Sequence, residues 1–165
     1  MERITIRPAA FVDAGSLARI YNHYVRETIV TFEEEEVSAA EMARRLEEVR
    51  EASLPWLVAR ERDEVVGYAS SRPWKPRRGY RYSAEVTVYA KHGSSGRGIG
   101  TALYEHLLPA LKARGFHAAM GGIALPNPAS VALHEKLGFE KVAHFREVGF
   151  KFDRWIDVGY WEKIL

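Results

Sequence analysis

A single α/β domain is what this sequence predicts, on three grounds. Short runs rich in β-branched and aromatic residues alternate with longer segments whose apolar residues recur at helical spacing. At 165 residues the chain suits one domain spanning 1–165, able to bury a core without disulfides or metal. No internal repeat, linker or low-complexity tract interrupts it.

The first strand ends at Thr5-Ile6-Arg7-Pro8, because Pro8 cannot donate to a ladder. Asp13 is placed to cap a helix carrying Leu17, Ile20, Tyr21 and Tyr24 at helical spacing. Thr28-Ile29-Val30-Thr31-Phe32 has the β-branched and aromatic make-up of a strand, and the acidic run Glu33 to Glu36 follows it. Ser38 opens a second helix, about Ala39 to Ala52, with Glu41 three residues later completing a capping box. Met42, Leu46 and Val49 give that helix its apolar side. Trp56 to Arg60 and Val65 to Ala69 read as paired strands joined at Arg62-Asp63-Glu64. A basic, proline-broken loop runs from Arg72 to Arg81, and Tyr82 to Ala90 forms a longer central strand. After a glycine-rich turn comes a helix from about Gly98 to Arg114, closed by Gly115. Phe116 to Ile123 is a strand and Pro128 to Leu137 a helix that stops at Gly138. Phe139 to Val148 and Trp155 to Glu162 make the last two strands.

Composition narrows the function. With 24 Lys and Arg against 22 Asp and Glu, the net charge of +2 gives no global reason to expect nucleic acid. The chain has no cysteine, which removes disulfides, thiolate metal sites and a cysteine nucleophile together and fits a reducing cytoplasm. The six histidines show no metal-ligand spacing, so no metal is expected. No apolar h-region opens the chain, and no apolar run approaches the roughly 18 residues of a membrane span. A cytoplasmic protein with neither membrane nor nucleic-acid partner is the expectation.

The most informative stretch runs from Glu85-Val86-Thr87-Val88-Tyr89 into Ser94-Ser95-Gly96-Arg97-Gly98-Ile99-Gly100-Thr101 and the apolar helix beyond. Glycines in such a turn let backbone N–H groups crowd around an anion, and the helix start adds unpaired amides and its positive dipole end. A pyrophosphate suits that nest, with Arg97 supplying a charge beside it. The P-loop is excluded, because Thr101-Ala102 follows the last glycine where Lys-Ser/Thr is needed. The dinucleotide fingerprint is excluded by the spacing Gly96-Arg97-Gly98-Ile99-Gly100. On its own such a turn also serves mere geometry.

The turn resembles the coenzyme-A-binding turn of the GNAT superfamily of N-acetyltransferases, Gln/Arg-x-x-Gly-x-Gly/Ala. Gly98-Ile99-Gly100 fits its end, and Ser95 departs from its first position. Asn127 through Phe139, with Leu137-Gly138-Phe139 at its end, resembles the superfamily's later element. Ile20-Tyr21-Asn22-His23-Tyr24, Pro73-Trp74-Lys75, Thr87-Val88-Tyr89 and Val158-Gly159-Tyr160-Trp161 look more narrowly like the phosphinothricin and methionine sulfoximine acetyltransferase group. The likeness covers nearly the whole chain.

That resemblance implies a mixed, mostly antiparallel sheet with one parallel, splayed strand pair, flanked by about four helices. It implies acetyl-CoA as co-substrate, a small amine as acceptor and a homodimer. Glu85 would be the general base, its plainer alternative being a carboxylate paired with Arg81 or another basic neighbour. His134 stands where the superfamily places a proton-donating tyrosine, and a helix-surface histidine is the alternative. Cofactor contacts would come from Val86, Thr87 and Val88, from Ser94 to Thr101, and from Asn127, which also suits a helix cap. Phe32 and Tyr89 would wall the acceptor pocket, with Lys75, Arg77 and Arg81 holding the acid end. Direct transfer is expected, since no Ser/His/Asp arrangement or cysteine offers a covalent route. Two other readings stay open: acetylation of a protein or peptide N-terminus, and a non-catalytic acyl-CoA-binding module.

Overall fold

A computed structural model describes residues 3–165. Seven strands form one sheet: β1 (Thr5–Pro8), β2 (Trp56–Glu61), β3 (Glu64–Pro73), β4 (Ser83–Ala90), β5 (Ala118–Ala124), β6 (Glu140–Lys151) and β7 (Arg154–Ile164). Their spatial order is β1-β2-β3-β4-β5-β7-β6, antiparallel throughout except where β4 runs parallel to β5. Four α-helices flank it: α1 (Ala14–Glu27), α2 (Ala39–Glu51), α3 (Ile99–Ala113) and α4 (Pro128–Lys136). The mixed sheet with one parallel pair is the architecture the resemblance implies. Among the described residues no helix is long and apolar enough to cross a membrane.

The helix ends follow the sequence with two departures. Ser38 caps α2 by accepting the Glu41 N–H at 3.0 Å, but the Glu41 carboxylate turns to Arg44 and Arg45 instead of closing the box. Asp13 stands at the N-cap position of α1 without capping it. Its carboxylate accepts instead from the Ala10 N–H and from both terminal nitrogens of Arg7, at 2.7 to 2.8 Å. That charge-assisted fork outcompetes a neutral cap. Gly115 and Gly138 close α3 and α4 at φ 86° and 87°, angles that cost other residues more.

Helices cover both faces of the sheet. α1 and α2 pack with Val58, Val65 and Tyr68, whereas α3 packs with Leu57, Ala59, Val66, Ala84 and Val86. Leu103, Leu107 and Leu111 of α3 are wholly buried. Each such side chain contributes about 1.5–3 kcal/mol, far more than a surface ion pair, so α3 is the anchor of its face. The alternation of β4 divides its side chains accordingly. Ala84, Val86 and Val88 join the α3 core, while Glu85, Thr87 and Tyr89 point to the other side.

Candidate active site

Beyond β4 the backbone turns through Gly93, Gly96 and Gly98, at φ 82°, 76° and 76°. A Cβ at Gly96 or Gly98 would meet nothing within 4 Å, so the left-handed angle, and not crowding, is what demands glycine there. Gly98 is the N-cap residue of α3 and offers no side-chain cap. Among the described hydrogen bonds none is donated by the backbone N–H of Ser95, Gly96, Arg97, Gly98, Ile99 or Gly100. Ser94 and Ile99 are buried and pin the two ends of the turn, while the residues between them are exposed. Arg97 is ion-paired with Glu61. A row of unpartnered main-chain donors at a helix start fits the diphosphate of coenzyme A.

The parallel pair is short. β4 and β5 are in register only at Ser83–Ala118, Ala84–Ala119 and Glu85–Met120. Past that point β4 pairs with β3 alone and β5 with β7 alone. From Val86 onward one edge of β4 is therefore free to offer backbone groups, as the expected splay requires.

On the α1/α2 side of the sheet lies a cavity of about 790 Å³. Glu85, Thr87 and Tyr89 of β4 line it, together with Phe32 from the 28–38 loop. Tyr89 meets Tyr21, Tyr24 and Tyr68 at centroid distances of 5.1 to 5.4 Å, making an aromatic wall. Burial pushes the Tyr89 phenol well above its ordinary range and the Tyr21 phenol to about 12, so both stay neutral donors. Thr87, expected among the cofactor contacts, turns its side chain into this cavity and meets Ser70 Oγ at 3.1 Å.

Three guanidiniums reach the cavity: Arg44, Arg45 and Arg72. Arg45 forks onto Glu33 at 2.8 and 2.5 Å and also binds Glu41 at 2.9 Å. Arg44 pairs with Glu41 and Glu48. Arg72 pairs with Glu85 alone among the described carboxylates. Glu85 thus has a basic neighbour, but it is Arg72 and not Arg81. The Arg45 fork, aided by the Tyr21 hydroxyl and opposed by burial, holds the Glu33 carboxyl below its ordinary range.

Lys75, Arg77 and Arg81 are not brought to the cavity. Lys75 Nζ stands 4.9 Å from the Trp74 ring, and the Arg81 guanidinium lies 4.5 Å over Tyr82 and binds the Arg78 carbonyl. The loop reaches the site only through Trp74, whose ring meets the cavity residue Tyr160 edge-on at 5.3 Å. Alternation explains the difference: Arg72 is still on β3, opposite Glu85, whereas the later cations lie beyond the end of that strand.

His134 is 3% exposed, which excludes a helix-surface histidine, and it lies outside the lining of the acceptor cavity. Nδ1 donates to the Ser130 carbonyl at 2.7 Å, which leaves Nε2 as an acceptor, 3.2 Å from the Tyr104 hydroxyl. Burial lowers its pKa and keeps the ring neutral. The ring is wedged against Gly121, the first β5 residue past the splay, where a Cβ would come within 2.6 Å of Nε2. Asn127 caps α4 through Oδ1, at 3.1 Å from the Ser130 N–H, and no described hydrogen bond uses its amide nitrogen.

The 28–38 loop is held from far along the chain. Lys151, 1% exposed, donates from Nζ to the carbonyls of Val25, Thr28 and Thr31 at 2.7 to 2.8 Å. No described carboxylate lies within ion-pair distance of it, so the ammonium answers the C-terminal dipole of α1 instead. Phe32 packs so tightly on Gly149 that a Cβ there would fall 2.3 Å from its ring.

Residues 6–159 match the acetyltransferase (GNAT) domain family. The chain belongs to that family of acetyltransferases. This GNAT chain is 40% identical to a phosphinothricin N-acetyltransferase of Streptomyces coelicolor, covering 98% of this chain and 96% of the relative. It is 34% identical to an L-methionine sulfoximine/L-methionine sulfone acetyltransferase of Salmonella typhimurium, over 95% of this chain and 92% of that one. It also superposes on a GNAT superfamily phosphinothricin acetyltransferase from Sinorhizobium meliloti in complex with acetyl-CoA. That match has a TM-score of 0.94 and 36% identity, over 98% of this chain and 88% of that one. Within the GNAT frame, sequence reasoning missed Tyr21, Glu33 and Arg45 as cavity residues. Tyr21 reads as one more apolar helix position, and Glu33 as the start of an acidic run. Arg72 belongs to the basic cluster, and only the β3–β4 register singles it out.

Proposed function

We propose that this acetyltransferase moves an acetyl group from acetyl-CoA directly to the α-amine of a small amino-acid-like acceptor. The acceptor is of the phosphinothricin, methionine sulfoximine or methionine sulfone type. The single observation that carries the reading is Glu85. It is the one carboxylate that both lines the acceptor cavity and sits at the last paired residue before the strands part. The relatives named for phosphinothricin and for methionine sulfoximine and sulfone support the same class.

Bound acetyl-CoA supplies the activated thioester carbonyl. The main-chain donors of Ser95 to Gly100 would hold its diphosphate, the Asn127 amide and the free β4 edge at Val86 or Val88 its pantetheine arm, and Arg97 and Thr101 flank the turn. Glu85 accepts a proton from the acceptor ammonium, leaving a neutral, nucleophilic amine. An ammonium that ends as an amide sheds two protons, one of which ends on the departing thiol, so no separate donor is required. We place His134 as a positioning residue, its Nε2 orienting the Tyr104 hydroxyl behind the splay. Tyr89 and Phe32 shape the wall against which the acceptor side chain lies.

The chain acts in the cytoplasm and as a homodimer. Support for the dimer is the row of exposed aromatic residues on the β6–β7 hairpin, Phe145, Phe150, Phe152 and Trp155; gel filtration at the monomer mass would remove it. The test of the whole reading follows thiol release from acetyl-CoA across phosphinothricin, methionine sulfoximine, methionine sulfone and peptide amines. Turnover of the first three with little on peptides is expected. Coenzyme A binding without transfer to any amine would leave only a binding module.

A further inference from the structure

We propose that Arg72 and Glu85 together form a reader of the α-amino-acid zwitterion, with Arg72 as the site of the acceptor's α-carboxylate. The inference deepens the proposed function and rests on its choice of a small amine acceptor. The two side chains stand directly opposite in the β3–β4 register and are ion-paired on the wall of the cavity. In an α-amino acid the carboxylate and the ammonium are separated by one tetrahedral carbon. A guanidinium and a carboxylate already in contact are the complement of that arrangement, charge for charge. The acceptor's carboxylate takes Arg72 while its ammonium takes Glu85, and the same exchange delivers the amine to the base.

Competition among the cavity cations points to Arg72. Arg44 and Arg45 are each engaged by two carboxylates, so a further anion there meets charges already neutralised. Arg72 has Glu85 alone, and its side chain is 67% exposed against 12% for Glu85. A pair with one member largely in solvent is weakly held, and a guanidinium carries five donors, so it accepts a second carboxylate without leaving the first entirely. Arg72 is also the cation felt by the phenols of Tyr89 and Tyr160 at this end of the cavity. A peptide N-terminus has an amide where the zwitterion has its carboxylate, and it leaves Arg72 on Glu85. The pair thus selects free amino acids over chain ends and over simple amines.

The experiment uses three acceptors of one shape: methionine sulfone, its α-carboxamide and the corresponding decarboxylated amine. Calorimetry with coenzyme A present and steady-state turnover are both run on the native protein, Arg72→Gln and Arg72→Lys. The native protein is expected to favour the acid over the carboxamide on the order of ten- to a hundredfold in affinity and in kcat/KM, the size of a charge-assisted hydrogen bond. R72Q loses that preference by weakening the acid alone, and R72K restores part of it. A native protein indifferent to the carboxylate, or an R72Q loss equal on all three ligands, overturns the inference while leaving amine acetylation standing. Selective binding without turnover of any acceptor instead keeps the reader and sinks the transferase reading. No binding of any of the three removes both.

Discussion

The two ends of the proposed site are built from different materials. The carrier end is main chain: glycine angles, a helix start and donors that need no particular side chain. The acceptor end is side chain: phenols, three guanidiniums and three carboxylates gathered from α1, the 28–38 loop, α2, β3, β4 and β7. A main-chain site is contiguous in sequence and is fixed by local backbone rules. A side-chain site exists only after distant segments have packed, and its specificity resides in which charges remain uncommitted.

Exchanging one group at each end sharpens the contrast. Glu85→Ala should lower kcat by roughly 10²–10⁴, the range for losing a general base, while calorimetric affinity for coenzyme A stays as in the native protein. Equal turnover would remove the base assignment. At the carrier end Gly98→Ala places a Cβ at φ 76°, a strain of about 1–3 kcal/mol. We expect it to weaken coenzyme A binding by about tenfold, with the KM for the amine unmoved. If instead the amine KM rises and coenzyme A binds normally, the division between the two ends is wrong.

The remaining pair of tests addresses the acceptor end alone. Lys151→Met leaves three carbonyls without their donor, two of them buried, at a cost of about 1–3 kcal/mol for each buried group left unsatisfied. The expected signature is a several-fold higher amine KM and a lower melting temperature, with coenzyme A affinity retained. The smallest effect is on pH. Because Arg45 depresses the Glu33 pKa below its ordinary 4.5, the pair's contribution is complete above that value and is lost as pH falls through the lower, folded one. Melting temperatures recorded from pH 7 to pH 3 should fall less steeply on the acid side for Glu33→Gln. Parallel curves would show that the fork does not hold the loop.

Much of the fold was legible in the sequence, and for a common reason. The turn between β2 and β3, the Ser38 cap and the glycine stops at Gly115 and Gly138 depend on neighbours within a few residues. The turn from Ser94 to Thr101 belongs to the same class. Thr28–Phe32 misleads because its strand-like composition is overridden from outside. Carbonyls at Thr28 and Thr31, which a ladder would use, are taken by an ammonium more than a hundred residues away. The basic cluster misleads differently: charge density identified the segment, but only the β3–β4 register separates Arg72 from Lys75, Arg77 and Arg81. His134 lies at the expected point of the chain, yet burial and the Ser130 carbonyl decide its protonation, and neither is written in local sequence.

The hold of Lys151 on the loop after α1 has a consequence for biosynthesis. A ribosome delivers the glycine turn and α3 well before it delivers the hairpin that carries this lysine. The loop after α1 therefore lacks its clasp until the β6–β7 hairpin is made. The acceptor cavity, which Val158 and Tyr160 of β7 also line, is completed only when the last strand has emerged.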